Sequence, residues 1–531
     1  MKVLIADNID EAGIRALQDE AELEVDVRTE MSPEELRGVI PEYDGMIVRS
    51  ATKVTSEIIE AGVPRLKAIA RAGIGLDNVD VHAATRHGIA VMNTPEGNTV
   101  TTAEHTIAMM MALTRNIPQG TMSLKSGQWN KKQLQGREVF SKTLGVIGFG
   151  KIGSIVADRA RQFKMRVIVH DPNLSRTVIE NEGFEYVSLE DIYRQSDYVT
   201  VHVPKLKQTT GLLNRAAFDQ MREGVMVINC ARGGIVDEKD LFDAIKSGKV
   251  AGAALDVFDV EPPGESPLFA LDNVVATPHL GASTKEAQIN VSEAAARQII
   301  QYLKYKTVIN AVNLPAVSGE LLEKLGPFMT LADRMGCLLA QFSGGSLTEI
   351  KIEYTGDFLG LDLGPVTTAA VQGVLAPLVK HHVNSVNASA LAGEMGIPVT
   401  TKSATTQTDY INLITMSVNG KNGLNTVAGT IFGRKAPRII RINDFRLEMI
   451  PTEGYFAIIH NLDQPGAIGR IGLTLGEHGV NIERMQVGQK GDNQRNIIFL
   501  RTGSKIPAAA LTALRALPVV KDVTVFELDE R

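Results

Sequence analysis

The chain has 531 residues, of which 44% are hydrophobic, 22% charged and 5% aromatic, with a formal net charge of −6. This length predicts about three to five domains. The composition excludes a mostly disordered chain and a bundle of membrane helices. The lack of a basic excess argues against nucleic acid or an anionic membrane as the partner. Two cysteines exclude a disulfide framework and a multi-cysteine metal site, and no export signal follows Met1, so we expect a cytoplasmic protein without a metal.

The first 95 residues alternate short apolar runs with helical patterns. A helix begins at Ser32-Pro33, where a serine N-cap precedes a proline and two acidic residues. Alternation of strands and helices predicts a parallel α/β sheet. The predicted strands are 3–6, 23–27, 46–48, 68–70 and 89–92, and a long helix over 101–116 follows them.

A second and larger α/β domain begins after this helix. Its predicted strands are 143–147, 167–169, 198–203, 225–229, 251–255 and 274–276. The helical segment 285–305 that follows carries an imperfect apolar stripe, so it can return the chain to the first domain.

The last two hundred residues differ in texture. Residues 318–450 are rich in Gly, Ala, Ser and Thr and carry no chemical motif. The tail predicts strands over 455–460, 480–487, 496–501 and 519–526, with helices over 466–478 and 507–516. That order, βαββαβ, is the ferredoxin-like arrangement.

A glycine fingerprint opens the second domain. Gly148, Gly150 and Gly153 form G-x-G-x-x-G between a strand and a helix, and Asp171 ends the next strand. In this context the glycines allow close approach to a pyrophosphate, and the carboxylate meets the ribose diol. Because a carboxylate repels a 2′-phosphate, the sequence predicts NAD rather than NADP.

Charged residues follow three later strands of the same domain. Arg232, Asp256 and His279 each lie just beyond a strand end, with Glu261 five residues after Asp256. Ligands bind beyond the carboxyl ends of parallel strands, so these side chains are expected to converge. Arg232 can hold a substrate carboxylate, His279 can accept a hydroxyl proton and Glu261 can orient the imidazole, which suits oxidation of a 2-hydroxy acid.

These motifs and their neighbours resemble the D-2-hydroxyacid dehydrogenase family, and within it the long-form branch that ends in an ACT domain. The matching stretches are VRSAT (48–52), RAGIGLDNVD (71–80), NTPEGN (93–98), the glycine fingerprint, NCARGG (229–234), ALDVF with EPP (254–263), and PHLGAST (278–284). The resemblance implies NAD-dependent oxidation of D-3-phosphoglycerate to 3-phosphohydroxypyruvate, the first step of L-serine biosynthesis.

The resemblance also implies a division of the chain. It gives two Rossmann-like parallel-sheet domains, one that binds substrate (1–98 and 285–312) and one that binds NAD (99–284). Two α+β domains follow, an intervening regulatory domain (318–450) and a ferredoxin-like ACT domain (454–531). A homo-oligomer is implied, a dimer through the segment around Trp129 and a tetramer overall.

Site residues follow from the same resemblance. The implied catalytic residues are Arg232, Glu261 and His279. The implied cofactor contacts are Gly148, Gly150, Lys151, Ile152, Gly153, Asp171, Cys230, Ala231, Arg232, Asp256, His279, Gly281 and Ala282. The implied substrate contacts are Arg49, Ser50, Arg71, Gly73, Asn98 and Arg232. Arg49 and Arg71 end neighbouring strands, and a phosphate substrate requires such cationic donors.

The tail suggests control by a small zwitterion. Asp463 precedes a helix start and can pair with an ammonium group, and Asn481 can donate and accept hydrogen bonds. The resemblance implies L-serine at an interface between two such domains, with Asn461 nearby. At Asn461 the chain differs from serine-regulated relatives, which often carry an aromatic residue or a histidine there.

Two other functions fit parts of this pattern. A glyoxylate/hydroxypyruvate reductase or a D-lactate-type dehydrogenase shares the core, but would not need both Arg49 and Arg71 or two appended domains. An NAD-sensing scaffold like the transcriptional corepressors keeps the Arg, Glu and His set as well. The ACT-like tail favours metabolic control.

Overall fold

The computed structural model describes residues 1–314, 319–358, 360–380, 382–404, 409–421, 423–433, 435–489 and 495–528. Position 318, which begins the expected intervening domain, and position 531, which ends the expected last domain, lie outside these residues. The described chain contains three sheets, and the strands of each are joined by their own helices and loops. Among the described residues, no helix combines the length and the apolar composition needed to cross a membrane.

The first sheet is parallel and agrees with the expected strands to within one residue. Its strands are β1 (Lys2–Ile5), β2 (Glu24–Val27), β3 (Gly45–Val48), β4 (Ala68–Arg71) and β5 (Ala90–Asn93), in the order β2-β1-β3-β4-β5. Its helices are α1 (Glu11–Gln18), α2 (Pro33–Val39), α3 (Ser56–Gly62) and α4 (Val81–Arg86). The predicted start of α2 is confirmed, because Ser32 and Glu35 form a reciprocal capping box.

Two helices connect the first sheet to the second. They are α5 (Thr99–Thr114) and α6 (Ile117–Lys125). The sequence predicted one helix over 101–116, but Asn116 adopts a left-handed conformation, with φ of 51°, between the two. A residue with positive φ interrupts a right-handed helix, so the chain turns there.

The second sheet is also parallel and larger than the first. Its strands are β6 (Thr143–Ile147), β7 (Arg166–His170), β8 (Glu185–Tyr186), β9 (Tyr198–Val201), β10 (Val225–Asn229), β11 (Val250–Leu255) and β12 (Val274–Ala276). The strand order is β12-β11-β10-β9-β6-β7-β8. Its helices are α7 (Lys151–Gln162), α8 (Arg176–Asn181), α9 (Leu189–Gln195), α10 (Arg215–Gln220) and α11 (Glu238–Lys246).

A long helix, α12 (Lys285–Tyr305), carries the chain back to the first sheet. Its buried Val291, Ala295 and Ile299 share a hydrophobic cluster with Val3 and Ile5 of β1. The apolar stripe of this helix therefore completes the core of the first sheet rather than that of the second.

The third sheet is mixed and has ten strands. Its elements are α13 (Gly319–Phe342), β13 (Leu347–Gly356), α14 (Gly364–Leu375), α15 (Ala388–Glu394), β14 (Val399–Ala404), β15 (Asn412–Gly420), β16 (Gly423–Phe432), β17 (Ala436–Ile442), β18 (Phe445–Met449), β19 (Gly454–Leu462), α16 (Ala467–Glu477), β20 (Ile482–Gln489), β21 (Arg495–Thr502), α17 (Ala508–Ala516) and β22 (Val520–Leu528). The strand order is β14-β13-β15-β16-β17-β18-β20-β21-β19-β22. The βαββαβ order of the tail is confirmed.

The tail and the segment before it share one core. Phe456, Phe499 and Phe526 of the tail belong to the same buried cluster as Leu338 of α13 and Ile350 of β13. The sheet is continuous across the junction, because β18 pairs with β20. The two expected C-terminal domains are therefore joined by a common apolar layer.

Described residues of this C-terminal unit contact the first domain near the end of α4. The amide of Asn384 donates to the carbonyl oxygen of Gly88 at 2.8 Å, and Arg86 pairs with Glu394 at 3.1 Å. Val386 packs in a small cluster with Ala90 of β5. The contact lies at the end of α4, where the chain enters β5.

Candidate active site

The loop between β6 and α7 lets a ligand approach its backbone closely. Gly148 has φ of +94°, and a Cβ there would lie 2.5 Å from the carbonyl oxygen of His202. A Cβ at Gly153 would overlap the carbonyl oxygen of Gly148. Gly150 is the N-cap of α7 and has no side chain to satisfy the first N–H groups of the helix. Phosphate oxygens are common partners of such groups, so the loop fits a dinucleotide.

Asp171 lies at the end of β7, next to this loop. One carboxylate oxygen accepts a hydrogen bond from the backbone of Phe149 at 2.8 Å, and the other accepts one from the backbone of Asn173 at 2.8 Å. The carboxylate thereby ties the glycine loop to the end of the neighbouring strand. Its negative charge, close to the loop, favours a ribose diol over a 2′-phosphate.

Two of the residues expected to contact the cofactor have other side-chain contacts. The ammonium group of Lys151 pairs with Glu96 at 2.9 Å and so bridges α7 to the segment after β5. The Ile152 side chain packs against the core of the second sheet. Any contact of Ile152 with a dinucleotide would use its backbone.

His279 and Glu261 come together as the sequence predicted. Nδ1 of His279 lies 2.7 Å from Oε2 of Glu261, and the other carboxylate oxygen accepts the N–H of Phe258 at 3.0 Å. The His279 side chain is 46% exposed. Because Nδ1 is engaged by the carboxylate, Nε2 is the ring nitrogen available to a ligand, and no described residue is hydrogen-bonded to it.

Asp256 is fully buried beneath this histidine and binds four donors. It accepts hydrogen bonds from the Thr277 hydroxyl at 2.6 Å and from the backbone of Leu280 and Gly281 at 2.7 and 2.8 Å. His105 approaches it at 3.1 Å. Burial opposes ionisation of Asp256, but the hydrogen bonds from His105, Thr277 and Leu280 outweigh it and lower the pKa of the carboxyl group.

These bonds shape the loop that presents His279. The backbone of His279 has φ of +53°, a left-handed conformation that is uncommon for a residue with a side chain. Its N–H donates to the carbonyl oxygens of Asp256 and Thr277 at 2.9 and 3.0 Å. The predicted cofactor residue Asp256 therefore also fixes the conformation of the loop at 277–281.

The sequence analysis missed the contribution of α5 to this loop. Thr102 donates to the carbonyl oxygen of Gly281 at 3.0 Å, and the imidazole of His105 lies beside Asp256 and Thr277. The available signal was that Thr102, His105, Thr106 and Met109 share one face of the helix. Polar groups on a buried face require hydrogen-bond partners, and Thr102 and His105 find theirs in the loop at 277–281.

Arg232 lies in the cleft between the first two sheets. Its Nε donates to Asp77 of the first domain at 3.1 Å, and Nη1 donates to the carbonyl oxygen of Ala231 at 2.6 Å. The amide of Asn229 shapes this turn by bonding to Ala231 N–H and to the Arg232 carbonyl oxygen. Arg232 and the carboxyl ends of the first sheet are thus brought together.

Arg49, which follows β3, and Arg71, which ends β4, lie near Arg232 there. Burial, together with the positive charges of Arg232 and Arg49, lowers the pKa of Arg71 to about 10. Burial also lowers the pKa of Arg49. A Cβ at Gly73, whose φ is +150°, would overlap the Arg71 guanidinium. Three positive charges in mutual repulsion form a site that favours an anion.

The other two expected substrate residues, Ser50 and Asn98, form fewer side-chain contacts. Ser50 is exposed beside Arg49. Asn98 is buried at the N-cap of α5 and does not use its side chain as a cap. Among the described residues, neither Oδ1 of Asn98 nor Nε of Arg71 has a hydrogen-bond partner. Such atoms leave hydrogen-bonding capacity for a bound molecule.

Cys230 is a buried thiol. Burial raises its pKa, and the negative charge of Asp256 raises it further. A neutral thiol is a poor nucleophile. Cys230 instead packs in the buried cluster of the second sheet, beside the position expected for the nicotinamide. Within the described residues, no cluster of His, Cys, Asp and Glu side chains could hold a metal ion.

The expected effector residues lie at opposite ends of the tail's sheet. Asn461 and Asp463 are at the end of β19, whereas Asn481 precedes β20, level with the start of β19. Asn461 is in β19 and only 2% exposed; its amide nitrogen donates to the carbonyl oxygen of Leu462, while Oδ1 has no partner among the described residues. Asp463 and Asn481 are exposed. Gly466, with φ of +82°, is the N-cap of α16. The helix start that was expected to follow Asp463 is present.

Three family models match successive parts of the chain. Residues 107–281 match the NAD binding domain of D-isomer specific 2-hydroxyacid dehydrogenases. Residues 324–443 match the D-3-phosphoglycerate dehydrogenase intervening domain, and residues 455–519 match the ACT domain.

Full-length relatives carry one name. The chain is 41% identical over 531 residues to D-3-phosphoglycerate dehydrogenase from Archaeoglobus fulgidus, a match that covers 99% of this chain and 100% of that protein. It is 39% identical over 527 residues to the Bacillus subtilis protein of the same name, with 99% of each chain covered.

Solved structures match the first two sheets. The TT0316 protein from Thermus thermophilus is 33% identical with a TM-score of 0.55, over 59% of this chain and 100% of that one. An NAD-dependent formate dehydrogenase from Staphylococcus aureus in complex with NAD is 27% identical with a TM-score of 0.53, over 60% of this chain and 100% of that one.

Proposed function

The chain belongs to the long-form D-3-phosphoglycerate dehydrogenases, the NAD-dependent enzymes of serine biosynthesis with an intervening and an ACT domain, and from this premise we propose the role of each site residue. The reaction oxidises D-3-phosphoglycerate at C2. The observation that carries the assignment is the 2.7 Å contact between His279, which follows β12, and Glu261, which follows β11. Both strands lie on the same side of the sheet as β10, after which Arg232 stands.

Arg232 and His279 act on the two groups at the reacting carbon. The planar guanidinium of Arg232 binds the substrate carboxylate through two parallel hydrogen bonds. Nε2 of His279 accepts the C2 hydroxyl proton as the carbonyl forms. Glu261 keeps the imidazole in the correct orientation and stabilises the imidazolium that results.

The glycine loop and Asp171 would hold the cofactor. The uncapped N–H groups of α7 suit its pyrophosphate, and Asp171 suits its adenosine ribose. When bound, NAD supplies the acceptor for the hydride that leaves C2. Gly281, Ala282, Cys230 and Ala231 border the loops where the nicotinamide end is expected.

The first sheet with α12 forms the substrate-binding domain, at 1–98 and 285–312, and the second sheet forms the NAD-binding domain, at 99–284. This division is supported by the packing of α12 against β1. The intervening domain at 318–450 and the ACT domain at 454–531 then follow. Substrate binds in the cleft between the first two.

Arg71 and Arg49 bind the substrate phosphate. The support is electrostatic: the pKa of Arg71 is depressed to about 10 by burial and by its two arginine neighbours, so a nearby dianion relieves the repulsion. The partnerless Nε of Arg71 adds an unused donor.

Arg71→Met is expected to lower kcat/KM for D-3-phosphoglycerate by roughly 10- to 100-fold, the effect of losing a hydrogen bond to a charged group. Oxidation of D-glycerate, which lacks the phosphate, should change much less. Initial rates of NADH formation with both substrates measure this difference.

Arg65→Met is the matched control, because Arg65 lies before β4 and pairs with Asp44 at 3.4 Å, at the opposite end of the strand from Arg71. An equal loss with both substrates in Arg71→Met would show that Arg71 does not read the phosphate.

The ACT domain indicates effector binding, and L-serine is the proposed effector. The support is chemical, because Asp463 suits an ammonium group, the start of α16 suits a carboxylate and Asn481 suits both polar ends. The site is completed across an interface by a second ACT domain, which supplies Asn481, because Asp463 and Asn481 of one chain lie at opposite ends of the sheet.

Serine is expected to change activity several-fold or more, since effector coupling is typically about 1–3 kcal/mol. Asp463→Ala should abolish the response and leave the activity without serine unchanged. Thr512→Ala, on the exposed face of α17, is the control. Equal calorimetric binding of serine to the unmodified chain and to an Asp463→Ala/Asn481→Ala variant would refute this site.

The enzyme is a homo-oligomer that dimerises through the segment after α5. Trp129 is 79% exposed, and the same segment exposes Ile117, Met122, Leu124 and Phe140. A group of exposed large apolar side chains is typical of a protein interface. A tetramer then arises when the ACT domains also associate.

Sedimentation at micromolar concentration should therefore give a tetramer, and Trp129→Ser should weaken it to smaller species. Val178→Ser removes another exposed apolar side chain of the same domain, from α8, and serves as the control. A monomer for the unmodified chain would contradict the assembly.

A further inference from the structure

Asp77 reaches across the cleft to Arg232. Asp77 follows β4 of the first sheet and Arg232 follows β10 of the second, and their 3.1 Å contact joins residues 155 positions apart. Gly75 lies directly under this contact, since a Cβ there would overlap Nη2 of Arg232 and would lie 2.7 Å from Asp77. The loop of the first domain is therefore shaped to receive the guanidinium of the other domain.

Two hydrogen bonds fix the plane of this guanidinium. Asp77 binds Nε, and the carbonyl oxygen of Ala231 binds Nη1. A guanidinium has a rigid planar fork, so these two contacts determine where its remaining N–H groups point. One N–H on each terminal nitrogen then stays available as a pair for a carboxylate.

Asp77 also offsets part of the local positive charge. Its charge favours the protonated form of Arg71, whereas Arg232 and Arg49 oppose that form. The other nearby carboxylate, Asp7, is occupied by the backbone of Arg49 and by Thr52. The Asp77 side chain is 65% exposed, so its attraction is screened and contributes little to stability.

We infer that Asp77 is a positioning residue for the reaction: it orients Arg232 for the substrate carboxylate and weakens the binding of anions that lack the substrate's shape. The inference rests on the proposed role of Arg232. It separates orientation from affinity, because removing Asp77 makes the net charge of the site more positive but leaves Arg232 less well ordered.

Asp77→Asn should lower kcat by about 10- to 100-fold, the cost of a misplaced binding group. The KM for D-3-phosphoglycerate should stay equal or fall, and inorganic sulfate should become a stronger competitive inhibitor. Asp77→Glu, which keeps the charge, should recover part of kcat. Glu60→Gln removes an exposed carboxylate of the same domain and should change none of these values.

A double-mutant cycle tests whether Asp77 acts through Arg232. In an Arg232→Lys background, Asp77→Asn should have little further effect on kcat. A higher KM with unchanged kcat, or an additive loss in the double variant, would overturn the inference. A defective Arg232→Lys enzyme beside a fully active Asp77→Asn enzyme would overturn it alone, whereas a fully active Arg232→Lys enzyme would remove the proposed role of Arg232 as well.

Discussion

Replacing His279 with alanine is expected to lower kcat by roughly 10²–10⁴-fold, the usual contribution of general acid–base catalysis, while NAD still binds. The carboxylate of Glu261 holds Nδ1 at 2.7 Å, so the variant loses the one ring nitrogen that faces the cleft. The glycine loop and Asp171 are untouched by the change. Initial rates of NADH formation and an equilibrium titration with NAD measure the two effects separately.

His82→Ala provides the control for this variant, because His82 is exposed on α4 and forms no part of the site. A His279→Ala enzyme with an unchanged rate would remove His279 from the mechanism. A parallel loss of NAD affinity would show that the loop at 279–281 has rearranged.

Arg232→Lys is expected to lower kcat/KM by about 100-fold although the charge is kept. An ammonium group cannot reproduce two parallel hydrogen bonds to a carboxylate, and hydrogen bonds to charged groups each contribute about 1.5–3 kcal/mol. Lysine also cannot bind Asp77 and Ala231 in the plane that the guanidinium occupies. Steady-state kinetics over a range of D-3-phosphoglycerate concentrations give the loss.

The matched control is Arg222→Lys, since Arg222 pairs with Asp197 at 3.0 Å before β10 rather than after it. Kinetics like those of the unmodified enzyme in Arg232→Lys would mean that another group holds the substrate carboxylate.

The sequence predicted the two parallel sheets well because most of their strands are buried on both faces. Runs such as 143–147 and 225–229 are mostly apolar and end at or before a glycine, an asparagine or a charged residue, so their limits are visible. The two-residue strand β8 (Glu185–Tyr186) is too short to form such a run. Residues 318–450 carry no motif, and their place in one sheet with the tail depends on contacts between distant segments.

Within the site, residues next to strand ends were predictable and their supports were not. Arg232 and His279 each follow a strand, and parallel strands bring such residues to one edge. The left-handed backbone of His279 and the four donors to Asp256 depend on how loops pack, which no local pattern encodes. The pairing of Asp77 with Arg232 likewise requires the relative position of two domains.

The apolar layer shared by the two C-terminal domains decides how the enzyme can be freed from its regulator. A chain cut after Met449 would lose Phe456, Phe499 and Phe526 from the cluster that buries Leu338 and Ile350. The cut would leave an exposed apolar surface on the remaining chain, which favours aggregation. If serine binds at the proposed effector site, a single exchange such as Asp463→Ala would remove the response to serine and leave this layer intact.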